Sequence, residues 1–244
     1  MPSPIAHGTL TPLQHAVLTA CFRVPGADAF ALYGGTGLTE YYSGHRLSQD
    51  IGLFTLIPEL VRPFARALEA QVPVLVPGTA VQTTVTSGMF SSFAVTRSGG
   101  ENIKLEVGVA DPPSLGLDEE VEGIRVASLR DIAAGKAHAL CDRDDPKDAI
   151  DLWAVDKLLG VSMGAVRDDL FAKDAGLAEA PLAWYEAFRR QADREVTVPP
   201  ELERMMLIEA DPQQIKSFLS STAETIRIEL LAQARTQSAP GLLD

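Results

Sequence analysis

One stretch of this 244-residue chain, Phe30–Phe54 (FALYGGTGLTEYYSGHRLSQDIGLF), constrains the fold more than any other. An apolar run, Phe30-Ala31-Leu32-Tyr33, stops at Gly34-Gly35-Thr36, and a short polar segment of helical character follows. Ser48 and Asp50 then lead into a second apolar run, residues 51–54. The pattern reads as strand, glycine turn, helix start and returning strand, with a carboxylate at its mouth. Glycines let the backbone approach a phosphate, and amides at the start of a helix point outward as donors to an anion. Asp50 then supplies hard oxygen to Mg²⁺, an ion commonly held by one or two carboxylates together with substrate phosphates. Alone, a Gly-Gly pair after a strand is an ordinary turn.

The flanking pattern predicts how that unit is housed. Thr11-Pro12 opens a helix, with Thr11 as its cap and Leu13, Ala16, Val17 and Ala20 on one face. Residues 58–71 have helical spacing, and Pro63 must kink this helix or mark a late start. Three β-rich runs follow at 81–86, 90–97 and 102–109, the last two joined by Ser98-Gly99-Gly100-Glu101 as a hairpin. In the third run Leu105, Val107 and Val109 share one face and suit a core; Lys104, Glu106 and Gly108 share the other and suit an open site. Ile51 and Leu53 against Asp50 and Gly52 divide in the same way. From Ser128 the pattern turns helical, with helices predicted over 128–140, 146–159, 162–173, 180–192, 200–209 and from Asp211-Pro212 to about Arg235; the tail 236–244 is expected to fray.

The length allows one large domain or two small ones with ample core. Hydrophobic content of 46% and charged content of 22% place the chain among globular proteins and against wholesale disorder. No apolar run approaches the eighteen residues of a membrane span, and MPSPIAHGTL lacks the regions of a signal peptide. Cys21 and Cys141, far apart, read as small buried apolar residues rather than a disulfide framework. A cytoplasmic protein is expected. The net charge of −12 is spread over both halves: residues 1–126 hold 7 basic against 12 acidic groups, and the remainder 14 against 21. A broad phosphate-contacting surface is therefore excluded; nucleic acid must be met by a local basic patch, and a basic protein partner fits equally well.

Two further groups carry chemistry. Lys136 lies on the apolar stripe of its helix, four residues after Ile132 and four before Leu140. A lysine there must snorkel out, pair with an acid or face a site. Asp148 and Asp151 sit three apart on a mostly apolar helix capped by Asp145-Pro146. Asp148 falls in the first turn, where a carboxylate is favoured by the helix dipole, and Asp151 lies beyond it. Either acid is able to cap Lys136 in an ion pair that docks two helices, and Arg143 is a partner for either acid or a phosphate contact. His45 reads as a surface loop histidine and Asp118-Glu119-Glu120 as a solvated run. Arg189, Arg190 and Arg194 with Trp184 and Tyr185 form the best basic-aromatic cluster for RNA or a partner, which a plain amphipathic helix explains equally. No His/Cys spacing suggests zinc, and no Ser/His/Asp set suggests a hydrolase.

Gly34-Gly35-Thr36, then Arg46-x-Ser48-x-Asp50, then Leu53-Phe54 resembles the opening motif of the AbiEii/AbiGii toxin family of nucleotidyltransferase-fold proteins, which includes the MenT toxins of type IV toxin–antitoxin systems. Lys136-x-x-Ala139-Leu140-x-x-Arg143 and Lys147-Asp148-x-x-Asp151-Leu152 resemble its third and fourth motifs, so the resemblance spans residues 30–158. It implies an α+β fold: a nucleotidyltransferase-like domain with a mixed β-sheet over 1–126, and a helical domain over 127–244 that completes the active-site cleft. It also implies an NTP substrate with Mg²⁺ as cofactor, and transfer of a nucleotidyl group to RNA, the tRNA acceptor end being the acceptor it suggests. A cognate antitoxin is the implied protein partner, and no membrane is involved.

Carried onto this chain, the resemblance has Gly34, Gly35 and Thr36 cradle the phosphates, with Arg46, Ser48 and Arg143 as further nucleotide contacts. Asp50 and Glu106 hold metal, Glu106 matching the place where related folds put a third acid; a solvated strand carboxylate is the alternative for it. Lys136 and Arg46 neutralise charge in the transition state, and Asp148 or Asp151 orients Lys136 or acts as base. Asp50 and Lys136 are expected to converge on one pocket at the Gly34–Thr36 turn. The family pattern at the strand is Asp-x-Asp, two carboxylates on one face for two metals; this chain has Asp50-Ile51-Gly52 and retains one of them. Gly52→Asp is accordingly expected to tighten Mg²⁺ binding. The alternative reading is a nucleotide-binding or partner-binding homologue that no longer performs transfer, and a third is a purely structural domain.

Overall fold

The computed structural model describes residues 1–195 and 197–238, with backbone alone for 236–238. The chain opens with helix α1 (Pro12–Cys21), capped as expected: the Thr11 hydroxyl accepts the Gln14 N–H, and the Gln14 side chain accepts the Thr11 N–H. Strand β1 (Ala31–Tyr33) runs into helix α2 (Gly34–Leu38), which continues as one π turn, Thr39–Ser43. Then come β2 (Asp50–Thr55), α3 (Pro58–Leu75), β3 (Thr79–Thr86), β4 (Phe90–Arg97) and β5 (Asn102–Val109). A short hairpin, β6 (Glu119–Val121) and β7 (Ile124–Val126), precedes α4 (Leu129–Asp142), α5 (Pro146–Lys157), α6 (Met163–Lys173) and α7 (Ala175–Glu179). The chain closes with α8 (Leu182–Ala192), α9 (Pro200–Glu203) and α10 (Pro212–Ser238).

The strands form one mixed sheet in the order β3-β4-β5-β2-β1-β7-β6, with β2–β5 and β1–β7 parallel and the other pairs antiparallel. Alternation along each strand divides its two faces. Leu32, Ile51, Leu53, Phe93, Val95, Leu105 and Val107 share one face and are buried. Helix α3 packs on β2–β5 and buries Val61, Phe64, Leu68 and Val72, and Phe30 stacks on Phe64 at 4.1 Å. The opposite face carries Tyr33, Asp50, Gly52, Phe54, Glu106 and Gly108, the division that the parity of β2 and β5 predicts.

Two compact units are present. Met1–Ala133 with Met205–Ile208 forms the first, which holds the sheet; Ala134–Arg204 with the chain from Glu209 forms the second, which is helical. The division falls inside α4. In the second unit α10 packs on α8 and α5, burying Ile215, Phe218, Leu219 and Ile226, and Phe188 stands edge-on to both Trp184 (4.7 Å) and Phe218 (6.0 Å). Among the described residues no helix is long and apolar enough to cross a membrane.

Several sequence expectations need correction. The helix predicted over 200–209 stops at Glu203. Residues 205–208 instead lie beside the loop before β2, where Met206 forms an isolated antiparallel bridge with Arg46, the Leu47 N–H donates to the Met205 carbonyl (2.7 Å) and the Leu207 N–H to the His45 carbonyl (2.9 Å). Under this strap His45 is fully buried, with Nδ1 2.7 Å from the Ser43 hydroxyl, and is not a surface histidine. Helix α3 does not start late: it begins at Pro58 and runs through Pro63 to Leu75. Strands β6 and β7 and helix α7 went unread, although the acidic run at 118–120 is exposed as expected. Helix α10 continues through Ser238 where fraying was expected, and residues 239–244 lie outside the described residues.

Candidate active site

In the first unit the glycine turn and Asp50 are tied together directly. Gly34 opens α2 at φ 71°, a conformation that favours glycine, and no side chain caps this end of the helix. Thr36 is fully buried and its hydroxyl donates to the Asp50 main-chain carbonyl, joining α2 to the first residue of β2. Thr36 thus serves as a brace, while Gly34 and Gly35 leave the approach open. Ser48 is half-buried, and its carbonyl accepts the buried Gln14 amide at 2.6 Å. Arg46 is almost wholly buried under the strap and donates from Nη1 to the Leu47 carbonyl at 2.7 Å. A cavity of about 440 Å³ opens beside Asp50, lined by Gln14, Ser48, Asn102, Lys104 and Met205 among others.

Sheet register settles which neighbours Asp50 has. Asp50 lies opposite Lys104 and Gly52 opposite Glu106, all on one face. The Glu106 carboxylate pairs with the Lys104 ammonium. The position of the absent second acid is filled: a Cβ on Gly52 would lie 2.9 Å from Cε2 of Phe54, and one on Gly108 would lie 2.9 Å from Cε1 of the same ring. Phe54 therefore leans across two strands into a seat made by two glycines. Tyr33 stands edge-on to it at 5.8 Å.

The second unit gathers the residues of the later motifs. Lys136 Nζ lies 3.1 Å from Asp148 Oδ1 and 2.6 Å from Asp151 Oδ2, and Arg143 grips Asp148 with Nε at 2.7 Å and Nη2 at 3.1 Å. The Lys136 side chain is 7% exposed and both carboxylates 0%, whereas Arg143 is 51% exposed. Helix α5 is buried from Asp148 to Val155, so both acids depend on these cations. The reading that Lys136 is capped by an acid from the next helix describes this geometry, and both acids take part.

Other candidates drop out. Burial pushes the Cys21 thiol up to about 12 and the Cys141 thiol up to about 11, so neither is a nucleophile at neutral pH. Trp184 is buried in the helical core rather than displayed beside the arginines. Arg190 and Arg194 both reach Asp144, and Arg189 reaches Asp193. Sequence reading put Lys104 on the open face and Phe54 in the opening motif but gave neither a role, and it missed Ser92. The signal for Phe54 was available: it shares parity with Asp50 and Gly52, an aromatic on an otherwise polar and glycine-bearing face.

The donor set bears on metal. Among the described residues no three His, Cys, Asp or Glu side chains gather as a metal-holding group. Asp50 and Glu106, one register step apart on a single face, fit one Mg²⁺ that takes its remaining ligands from substrate phosphates and water. A pair of ions does not fit, because the Phe54 ring stands where the second carboxylate of Asp-x-Asp belongs.

A mixed sheet whose β1 ends in a glycine turn braced to the main chain of an aspartate at the start of β2 defines a nucleotidyltransferase-type fold. Solved structures agree on the fold. JHP933 from Helicobacter pylori is similar at 18% identity with a TM-score of 0.56, covering 93% of this chain and 94% of that one. MenT4, a nucleotidyltransferase toxin of Mycobacterium tuberculosis H37Rv, is similar at 14% identity with a TM-score of 0.57, covering 88% and 82%. No curated protein matches. The model of the nucleotidyl transferase AbiEii toxin family, of type IV toxin–antitoxin systems, matches residues 16–233, and the chain belongs to that family.

Proposed function

We propose that this protein is a nucleotidyltransferase toxin that takes an NTP and transfers its nucleotidyl group to RNA, with the tRNA acceptor end as the favoured acceptor and a cognate antitoxin as partner. The observation that carries this reading is the brace from the Thr36 hydroxyl to the Asp50 main-chain carbonyl, which joins the uncapped glycine turn to the first residue of β2. In the transfer, an acceptor hydroxyl oxygen forms a bond to the α-phosphorus, the α–β phosphoanhydride bond breaks, pyrophosphate leaves and the hydroxyl proton passes to solvent. Gly34 and Gly35 let the backbone approach the phosphates. Asp50 and Glu106 would hold one Mg²⁺, which supplies charge neutralisation at the phosphates when bound. Lys136 and Arg143, held by Asp148 and Asp151 within the second unit, are the cations assigned to charge neutralisation. Asp148 and Asp151, wholly buried and bonded to cations, orient those cations and do not serve as base. Arg46, buried under the strap, contributes by holding the Ser48–Asp50 approach in place.

The test is incubation with each labelled NTP, Mg²⁺ and total RNA, comparing wild type with Asp50→Asn. Label in RNA from the wild type and its loss in Asp50→Asn by a hundredfold or more is the expected result. Lys136→Ala strips a cation from a buried cluster, which costs about 3–5 kcal/mol of stability by itself, so it is compared only below its own unfolding temperature. The second reading, a homologue that binds nucleotide without transfer, is favoured by the Phe54 ring over Gly52. NTP-induced thermal stabilisation with no label transfer under any NTP supports it and overturns the first.

A further inference from the structure

The Phe54 ring is unexplained by metal or phosphate chemistry. It shares a sheet face with Asp50 and Glu106, where a carboxylate or other polar group is expected, and it remains half-exposed there. Its position is built rather than incidental. Gly52 two residues back on β2 and Gly108 opposite on β5 both lack the Cβ that would meet the ring at 2.9 Å, so two strands make room for one side chain. Tyr33 supports it edge-on from β1, and Phe90, also half-exposed, lies across Gly108 from β4. Next to this cluster, opposite Glu106 in register, the Ser92 hydroxyl is buried with no hydrogen-bond partner among the described residues. A buried hydroxyl without a partner is costly unless a ligand or water satisfies it.

We propose that Phe54 is the stacking platform for the nucleobase of the bound nucleotide, with Gly52 and Gly108 as its seat and Ser92 as a nearby polar contact. The ring leans back over Gly52, two residues or roughly 7 Å along the strand from Asp50, within the span of one nucleotide whose phosphates lie at Asp50. A nucleobase suits this surface because every base presents a π face that stacks on an aromatic ring irrespective of its hydrogen-bonding edge. On this account Gly52 is retained for the ring, and the missing carboxylate is the consequence. The proposal rests on the nucleotide-binding reading above, and its test separates the two.

Binding of an NTP and of inorganic tripolyphosphate, each with Mg²⁺, is measured calorimetrically for wild type, Phe54→Leu and Phe54→Trp. Phe54→Leu keeps apolar bulk over the glycines but removes the π face. It is expected to weaken NTP binding about 5- to 150-fold, the range for one base–aromatic stack, and to leave tripolyphosphate binding unchanged. Phe54→Trp is expected to restore NTP binding, with indole fluorescence quenched by NTP and not by tripolyphosphate. Equal NTP affinity for Phe54→Leu and wild type overturns the platform and leaves the phosphate site standing. Equal weakening of both ligands also overturns it, since the ring then acts only through the fold. A wild type that binds neither ligand overturns the nucleotide reading itself, and the platform with it.

Discussion

Gly52 shows how one residue reads differently in one dimension and in three. In the sequence it is an absence, the lost half of Asp-x-Asp. In the structure its α-carbon lies under an aromatic ring, and a Cβ there would meet Phe54 Cε2 at 2.9 Å. The simple expectation that Gly52→Asp tightens Mg²⁺ binding therefore lacks the room it needs. Gly52→Asp alone is expected to lower stability by about 1–3 kcal/mol, the ordinary cost of overpacking, with no gain in Mg²⁺ affinity. Gly52→Asp with Phe54→Ala frees the space and is expected to bind Mg²⁺ more tightly than wild type in the presence of saturating tripolyphosphate. Urea denaturation and Mg²⁺ titration calorimetry check the two halves; a gain from Gly52→Asp alone refutes the seat. At this scale Lys136, Asp148 and Asp151 were legible as a group, because ionisable residues on an apolar stripe must find one another. His45 and Arg46 were not legible, since what buries them arrives from more than 150 residues later, at Met205–Ile208.

Elements were readable where local chemistry dominates. Helix α5 is an example: Asp145 caps it by accepting the Lys147 N–H at 3.0 Å, and Pro146 takes the first position, where its missing N–H costs nothing. The Asp145 carboxyl is held below the usual aspartate range: burial pushes it up, but the Lys147 N–H and ammonium and the Arg143 guanidinium outweigh that. A carboxyl lowered in the folded state adds stability at any pH above its unfolded value, and loses it as pH falls through the folded value. Asp145→Ala is thus expected to cost about 1 kcal/mol at pH 7. The gap to wild type should close as pH drops below ~3.9, the unfolded aspartate value. Urea midpoints from pH 7 down to pH 3 give the answer, and a gap that persists at low pH argues against the cap. Strands β6 and β7 defeated sequence reading because three-residue strands carry too few alternations to show a period. The 200–209 helix failed for a different reason: its second half has helical composition but finds strand-like backbone partners in the loop before β2.

For the molecule as a whole, charge sets how the proposed RNA acceptor would be met. The chain carries −12, and the arginines that most resembled a nucleic-acid surface are committed: Arg190 and Arg194 to Asp144, Arg189 to Asp193. An RNA held along a broad basic surface releases many counterions, and its affinity falls steeply with salt; each phosphate neutralised adds about 0.7 to the logarithmic slope for single strands. Recognition of one terminal nucleotide by a few cations leaves that slope shallow. For binding of a short single-stranded RNA carrying a free 3′ end, the expected slope of log affinity against log salt is about −1 to −2, corresponding to roughly two or three phosphates. Filter binding between 50 and 300 mM salt measures it. A slope steeper than about −4 requires six or more phosphate contacts, and would overturn recognition of one terminal nucleotide by a few cations. A shallow slope, by contrast, supports the proposed reading in which the acceptor end and not the RNA body is recognised.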